Sequence, residues 1–386
     1  MLILALLTTH YTELNMTGGT DLVLVTGGSG FLGGYIVLQL LQKGYSIRTT
    51  VRTPSRIEDA KARLKHGGAT PEQLANQLEF IVLDLITSSD EEWSKACTGV
   101  KYVMHTAGMI ATGKEKTLEE LVTPLKEGTL RVLRASAQAA VHKFVFTSSV
   151  AAIAHGHGMQ RDRSQPFAED DWTDLTDSKE KLHIYPRAKT LQEKAVWEFV
   201  QEHNETAERK MELAVVCPAA IYGPTLSKEY ASSLKLVPIL LGGMPGVPQY
   251  GTSMVDVRDC ADLHVKALES AKANGQRYLA ISGRTEEVVS ENSVCDFVDI
   301  FACAEILRNG LPADKTKKIP TRKLPNFVMR AAGYFDPVVG VCLPDLGKEL
   351  AGSFEKARRE LGWQPSKTID ESLLDSARSL IELGAV

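Results

Sequence analysis

Short apolar runs alternate with helical patterns along much of the chain. The run 22–25 is hydrophobic on both faces, which is typical of a buried parallel strand, and a helical apolar pattern follows it from Phe31. Helical periodicity or helix-start residues also mark 70–73, 118–140 and 185–200. Six further runs predict strands at 44–52, 78–85, 100–108, 143–149, 211–218 and 277–282. This alternation predicts an α/β fold with a Rossmann-type doubly wound parallel sheet.

The turn between the first strand and the first helix reads TGGSGFLG, residues 26–33. Gly27 and Gly28 allow a tight turn, Gly30 leaves room for a pyrophosphate at the helix N-terminus, and Gly33 permits close helix packing. An ordinary glycine-rich turn is the alternative. The strand before the turn and the helix after it favour a dinucleotide site.

The end of the second predicted strand indicates which dinucleotide binds. Arg52 stands where NAD enzymes place an acidic residue for the ribose hydroxyls, and Arg48 and Arg56 are nearby. An arginine there suits a 2′-phosphate and predicts NADP(H); a solvated surface arginine is the alternative. Asp84 and Leu85, at the end of the third strand, are expected beside the adenine.

Candidate chemistry lies at the end of the fifth strand and at the start of the helix 185–200. Ser148 and Ser149 end the strand, and Tyr185 and Lys189 are four residues apart on one helix face. Pro186 fits only the first turn and places Tyr185 at the helix start. A nearby ammonium favours the phenolate of a tyrosine, whose ordinary pKa is about 10, so this pair can move a proton.

Composition and charge bear on the expected partners and cellular compartment. The 386 residues carry a net charge of −4, which gives no reason to expect nucleic acid or an anionic membrane. The six cysteines are scattered, without CxxC spacing, and predict buried thiols in the reducing cytoplasm. Residues 1–20 are expected to form a disordered extension, with Met16 near the natural start. No stretch is long enough to span a membrane.

Several motifs together resemble one known family. The TGGSGFLG turn, FTSSV with Ser149, YPRAK, PAAIYGP, VDVRDCADLHVKAL and FEKARRELGW resemble the extended short-chain dehydrogenase/reductase superfamily, the NAD-dependent epimerase/dehydratase family. Within it the chain looks most similar to the dihydroflavonol reductase and aldehyde/ketone reductase group. Two departures are Ala188, where serine is frequent, and Pro186 after the tyrosine.

The resemblance implies a role for each matching residue. Tyr185 would donate the proton in a reduction, and Lys189 would activate it and bind a ribose hydroxyl. Ser149 would hold the substrate carbonyl oxygen, with Ser148 as the alternative. The cofactor would be NADP(H), and the implied cofactor contacts are Gly27, Gly30, Phe31, Leu32, Gly33, Arg52, Asp84, Leu85, Ala107, Tyr185, Lys189, Pro218 and Ile221.

The expected organisation is a cofactor domain, residues 21–218 plus 255–282, and a smaller discontinuous substrate lobe, residues 219–254 plus 283–386. Segment 219–254 is apolar, with Lys228 and Lys235 as its basic residues, which favours an uncharged, fairly hydrophobic carbonyl substrate. His105 is expected to be a packed or hydrogen-bonded histidine. His155 and His157 more often belong to a flexible loop than to a metal site.

The prediction is an NADPH-dependent carbonyl reductase, monomeric or homodimeric, that acts on a small molecule. A nucleotide-sugar epimerase or dehydratase on the same fold is the first alternative. A non-catalytic dinucleotide sensor is the second. The fold alone does not separate these three.

Overall fold

The computed structural model describes residues 21–108, 117–157, 164–176, 184–284, 293–335, 343, 346–348 and 350–386. Within these ranges the strands are β1 Leu22–Thr26, β2 Ser46–Val51, β3 Leu78–Val82, β4 Tyr102–His105, β5 Lys143–Thr147, β6 Glu212–Pro218, β7 Ala220–Tyr222, β8 Gly251–Thr252, β9 Met254–Asp256, β10 Gln276–Ala280, β11 Val294–Asp296, β12 Val298–Asp299 and β13 Ala351–Ser353.

The helices of the same ranges flank these strands. They are α1 Phe31–Gln42, α2 Arg56–His66, α3 Pro71–Asn76, α4 Asp90–Cys97, α5 Leu118–Gln138, α6 Ile184–Thr206, α7 Leu236–Gly242, α8 Val257–Glu269, α9 Ile300–Gly310, α10 Ala313–Thr316, α11 Asn326–Phe335, α12 Glu355–Leu361 and α13 Ile369–Glu382. Short 3₁₀ turns occur at Val150–Ala152, Ser232–Lys235 and Ala271–Ala273.

The central sheet joins seven of the described strands, all parallel, in the order β10-β6-β5-β4-β1-β2-β3. The chain builds outward from β1 to β3 and then returns to the other side of β1. The order therefore reverses between β1 and β4, and ligands of such sheets bind outside the carboxyl ends of the strands at this point. The predicted fold class is confirmed.

The seven predicted strands are all present, but several end earlier than the apolar runs do. Strand β4 stops at His105 and β5 at Thr147, short of the predicted ends at 108 and 149. Helix α3 has the predicted start: the Thr70 hydroxyl accepts from Gln73 N, and the Gln73 side chain accepts from Thr70 N. Helix α4 was not predicted, although Ser89 and Glu92 form the same capping box there.

A second, smaller hydrophobic core lies apart from the one around the sheet. It joins α7, α9 and α13, with Leu240, Leu307 and Leu373 fully buried. The segment 351–363 packs instead on the larger core, where Phe354 and Trp363 meet edge-on with ring centroids 5.9 Å apart. The division of the chain into two domains stays a prediction.

The described cysteines, at positions 97, 217, 260, 295 and 303, are all buried, as predicted. Cys342 and the N-terminal extension 1–20 lie outside the described residues. No helix in the described ranges is both long and apolar enough to cross a membrane.

Candidate active site

The glycine turn after β1 leaves no space for side chains. Gly27 has a φ of +75°, and a Cβ there would lie 3.0 Å from Ala107 Cα. A Cβ on Gly33 would lie 2.3 Å from the Gly27 carbonyl oxygen, so α1 packs directly on the turn. Helix α1 starts after Gly30, which has no side chain to cap the first-turn amides. These amides and the bare backbone suit a pyrophosphate, and the turn fits the implied dinucleotide.

A cavity of about 210 Å³ opens beside this turn. Its walls are Gly28, Gly30, Phe31 and Gly34 of the turn and α1, Arg63 and Leu64 of α2, and residues 225–227 and 229–231 after β7. Glu229 from this last segment pairs with Arg56, and its Oε2 lies 3.4 Å from Arg63 Nη2. The segment 225–231 therefore reaches the cofactor side of the molecule, which its sequence did not indicate.

The three arginines near the end of β2 have different surroundings. Arg48 Nε donates to Glu79 Oε2 at 2.8 Å, and its Nη1 donates to two carbonyls, so Arg48 is part of the fold. Arg56 pairs with Glu229 and with Asp59. The Arg52 side chain is 73% exposed, and its Nε lies 3.9 Å from Asp84 Oδ2. Arg52 is thus the most accessible of the three for a ligand phosphate.

Asp84 is held by the turn that follows β3. Its Oδ1 accepts from the backbone N–H groups of Ile86 and Thr87 at 2.9 and 3.0 Å. Partial burial raises the pKa of Asp84, but these hydrogen bonds and the nearby Arg52 outweigh burial and hold the pKa below its ordinary value. The structure therefore brings together two of the predicted cofactor contacts, Arg52 and an ionised Asp84.

Ser149 and Tyr185 meet, although 36 positions separate them in the sequence. Ser149 follows β5 and caps the 3₁₀ turn, where its Oγ accepts from Ala151 N at 3.1 Å. Tyr185 lies in the first turn of α6, as predicted. Burial raises the pKa of Tyr185, and a hydrogen bond from Ser149 opposes that rise. The hydroxyl is therefore protonated at neutral pH and paired with the predicted serine.

Ser148 has a different partner from its neighbour. It is only 6% exposed, and its hydroxyl donates to Glu193, a fully buried residue of α6. Its backbone N–H donates to Val216 O at 2.7 Å. Because the Ser148 hydroxyl already donates to a buried carboxylate, Ser149 is the better placed of the two serines to hold a substrate oxygen.

Lys189 lies one turn after Tyr185 on α6 and is 6% exposed. Its ammonium donates to Gln192 Oε1 at 2.7 Å and to the Thr147 carbonyl at 3.3 Å. It also lies 5.2 Å from the centre of the Phe146 ring. Burial lowers the pKa of Lys189 to about 8, against the raising influence of Glu193 and Cys217. The ammonium is thus the main form at neutral pH.

The other implied cofactor contacts lie at the carboxyl end of the sheet or at the helix start. Leu32 is in the first turn of α1 and is 8% exposed. Leu85 follows β3, and its carbonyl accepts from Arg131 Nη1 at 2.9 Å. Pro218 is buried at the end of β6, and Ile221 is half-buried in β7. Their roles toward a cofactor stay predictions.

Two of the histidines singled out in the sequence, His105 and His157, have ordinary hydrogen-bond partners. His105 is 1% exposed between Thr26 and Thr129, with ring nitrogens 2.9 and 3.0 Å from their hydroxyls. His157 Nε2 is 2.9 Å from the Ile153 carbonyl. Among the described residues, no group of three or more histidine, cysteine or acidic side chains is arranged to hold a metal ion.

Two polar residues near Lys189 were missed from the sequence. Gln192 contacts the ammonium directly, and Thr129 on α5 contacts Gln192. The spacing of Lys189 and Gln192, three residues apart on one helix, was a usable signal for the first contact. Thr129 had no such signal, because it comes from another helix.

Comparisons with known proteins identify the family of this chain. Residues 23–280 match the model of the NAD dependent epimerase/dehydratase family. The chain is 33% identical over 270 residues to cinnamoyl-CoA reductase 1 of Oryza sativa subsp. japonica, covering 69% of this chain and 73% of that protein. It is 30% identical over 284 residues to an anthocyanidin reductase of Vitis vinifera, covering 69% and 78%.

The fold is also that of a solved enzyme. Yeast methylglyoxal/isovaleraldehyde reductase, in complex with NADPH, superposes with a TM-score of 0.74 at 23% identity, covering 95% of this chain and 100% of that one. The relatives are named reductases, and the predicted family, fold and oxidoreductase class are confirmed. The chain belongs to the NAD dependent epimerase/dehydratase family and is similar within it to reductases of the dihydroflavonol reductase type.

Proposed function

We propose that this protein is an NADPH-dependent carbonyl reductase in which Tyr185 donates the proton. The observation that carries the proposal is the hydrogen bond between Ser149 and Tyr185, with Lys189 one helical turn further along α6. These three side chains stand at the carboxyl end of a doubly wound sheet, where the glycine turn also lies. A dinucleotide sensor has no need for this combination.

Bound NADPH supplies a hydride to the carbonyl carbon of the substrate. Ser149 holds the carbonyl oxygen, and Tyr185 gives its hydroxyl proton to that oxygen, so the C=O bond becomes CH–OH. Burial makes Tyr185 a weak acid on its own. The positive charge of Lys189 stabilises the phenolate that forms as the proton leaves, and thereby assists the transfer.

The NADP form of the cofactor rests on Arg52, which is exposed and not bound into the fold as Arg48 is. The NADPH complex of the yeast reductase supports the same choice.

Arg52→Asp should weaken NADPH binding by about tenfold or more and leave NADH binding almost unchanged, because only NADPH has the 2′-phosphate. Arg209→Asp, the same charge change at an exposed arginine of the loop between α6 and β6, is the control. Equal NADPH and NADH affinities in the unmodified protein would refute the choice.

The proposed substrate is an uncharged, fairly hydrophobic carbonyl compound, and the apolar residues of 219–254 differ in what they contact. Leu234, Val237, Leu240 and Val247 are fully buried in the smaller core, whereas Leu226 lines the cavity beside the glycine turn. The support that stays is the low basic content of the segment, since a nucleotide sugar needs cations for its pyrophosphate.

A substrate panel tests this proposal against the epimerase alternative. The protein is saturated with NADPH, and absorbance at the reduced nicotinamide band is followed with aldehydes, ketones, ketoesters, a dihydroflavonol and several nucleotide-diphosphate sugars. We expect NADPH to be oxidised in the presence of some neutral carbonyls, and we expect no binding of the nucleotide sugars. Conversion of a nucleotide sugar with an inert neutral panel would establish the epimerase reading instead.

A further inference from the structure

A continuous chain of buried hydrogen bonds leads away from the Lys189 ammonium. The ammonium donates to Gln192 Oε1 at 2.7 Å. Gln192 Nε2 donates to Thr129 Oγ1 at 2.8 Å and to the Leu125 carbonyl at 3.3 Å, both on the facing helix α5. Gln192 and Thr129 are 1% and 0% exposed. Water therefore does not compete for these bonds, which makes them strong and specific.

From Thr129 the chain continues to the glycine turn. His105 Nε2 lies 3.0 Å from Thr129 Oγ1, and His105 Nδ1 lies 2.9 Å from Thr26 Oγ1. Thr26 Oγ1 in turn accepts from Ala107 N at 3.1 Å. Ala107 is the residue against which the backbone of Gly27 packs. The catalytic helix is thus joined to the strand ends on which the dinucleotide is expected to lie.

The orientation of Gln192 in this chain is fixed by its partners. Its NH₂ group has two acceptors on α5, so its oxygen is left for the ammonium; a flipped amide would set N–H against N–H and carbonyl against carbonyl. Burial lowers the pKa of His105 to about 3, so this ring is neutral and donates one bond and accepts the other. An amide is a poor proton carrier, so the chain orients Lys189 and does not conduct a proton.

We propose that Gln192 is a positioning residue, which holds the Lys189 ammonium for the ribose of the cofactor and ties it through Thr129 and His105 to the cofactor turn. The inference rests on the proposed function, in which Lys189 binds ribose and assists Tyr185. It adds a residue outside the serine–tyrosine–lysine set, and it predicts a consequence for cofactor binding that needs no substrate.

The charged and titratable groups around Lys189 determine its pKa, and therefore how the pH dependence of NADPH binding should change in Gln192 variants. Glu193 and Cys217 raise the pKa of Lys189, while burial lowers it. His105 faces the network from β4 and is neutral, and Tyr185 precedes Lys189 on the same helix. Because the Gln192 oxygen accepts from the ammonium, it favours the charged form. Its loss should lower the pKa of Lys189, and a carboxylate in its place should raise that pKa.

The test is the dissociation constant of NADPH, measured by fluorescence titration from pH 6 to 10. In Gln192→Met, NADPH should bind about tenfold more weakly at pH 8, and the loss of affinity at alkaline pH should begin roughly one pH unit lower than in the unmodified protein. In Gln192→Glu the same loss should begin at higher pH. Thr129→Val removes the support for Gln192 together with the bond to His105, and it leaves the contact between Gln192 and Lys189 in place. It should shift the profile in the direction of Gln192→Met by a smaller amount.

The matched control is Thr190→Val. Thr190 is also fully buried on α6, but its hydroxyl bonds to the Pro186 carbonyl of the same helix, so the variant loses a buried hydrogen bond away from Lys189. Its NADPH profile should match that of the unmodified protein. Opposite shifts in the methionine and glutamate variants support the positioning role. An unchanged pH profile in Gln192→Glu and Thr129→Val overturns it, even if Gln192→Met fails to fold.

The outcome is separable from that of the proposed reaction. If the unmodified protein binds NADPH but reduces no carbonyl in the panel, the reaction is wrong, while the pH profiles still decide the role of Gln192. If carbonyls are reduced and the profiles do not move, the reaction stands and the inference about Gln192 is wrong.

Discussion

Two neighbouring residues of α6, Gln192 and Glu193, enter two different buried polar clusters. The uncharged amide of Gln192 accepts a hydrogen bond from the Lys189 ammonium. Glu193 is fully buried and pairs with Arg277, whose Nε donates to Oε1 at 2.6 Å. The Ser148 hydroxyl also donates to this carboxylate. One cluster therefore surrounds a cation with neutral partners, and the other surrounds an ion pair.

The Glu193 cluster satisfies its own charges within the fold. Arg277 Nη1 donates to the carbonyls of Glu169 and Asp171 at 2.7 and 2.8 Å, and its guanidinium stacks 3.8 Å from the Trp172 ring. This ion pair joins β10, α6 and the loop 169–172. Four of the five guanidinium N–H groups donate to protein oxygens, and both side chains of the pair are buried, which indicates a structural role.

Among the described residues, no carboxylate bonds directly to the Lys189 ammonium. The ammonium donates to an amide oxygen and a backbone carbonyl, and burial lowers the pKa of Lys189 to about 8. A buried cation in this state costs stability that the fold does not recover. Lys189 and Glu193 are both buried charged residues, four positions apart on α6. The first is placed for chemistry and the second for the stability of the fold.

The largest expected effect is on the ion pair. Arg277→Met leaves the Glu193 carboxylate buried without its cation and should lower the free energy of unfolding by about 3–5 kcal/mol. Urea unfolding followed by circular dichroism measures this. The double variant Arg277→Met/Glu193→Gln should recover a large part of the loss. A single variant as stable as the unmodified protein would contradict the structural role of this cluster.

The second effect concerns the uncompensated ammonium. The pKa of Lys189 in the folded protein, about 8, is below its ordinary value of 10.5. The burial cost is therefore complete below pH 8 and vanishes as the pH rises toward 10.5. Relative to Lys189→Met, the stability of the unmodified protein should rise by about 3 kcal/mol across this window. Parallel stability curves from pH 7 to 10.5 would show that Lys189 is not buried as a cation.

The third effect is on turnover and not on the stability of the fold. Tyr185→Phe removes the transferable proton and keeps the ring, so turnover should fall on the order of a hundredfold while NADPH still binds. Steady-state kinetics with a carbonyl found in the panel, together with a fluorescence titration, measure both. Turnover close to that of the unmodified protein would mean that another group is the acid.

The smallest effect separates the adjacent serines. Ser148→Ala removes one bond to Glu193 and should cost about 1.5 kcal/mol of stability with turnover nearly unchanged. Ser149→Ala should instead lower turnover by about tenfold or more, because its hydroxyl bonds to Tyr185, and loss of its cap on Ala151 N should cost about 1 kcal/mol of stability. The two variants are controls for each other. The opposite pattern would exchange the proposed roles of the two serines.

The sequence predicted the sheet because its strands are continuous apolar runs separated by helical patterns, and these depend on local side-chain periodicity. Run ends are harder to predict: the run 100–108 predicts one strand, but β4 ends at His105, and Ala107 N donates to Thr26 Oγ1 beside the glycine turn. The apolar residues of 219–254 favour a pocket wall, but Leu234 and Leu240 are buried in the smaller core, while Leu226 lines the cavity beside the glycine turn. Hydrophobicity alone does not say which neighbour covers a residue.

The sequence by itself determined the turn 26–33, the helix start at Tyr185 and the spacing to Lys189, because each depends on residues within one or two turns of chain. Only the tertiary structure decided that Ser148 serves Glu193 while Ser149 meets Tyr185. It also decided that Gln192 links the ammonium to Thr129. These partners come from different strands and helices, and a buried polar group takes whichever partner the packing brings within hydrogen-bond reach.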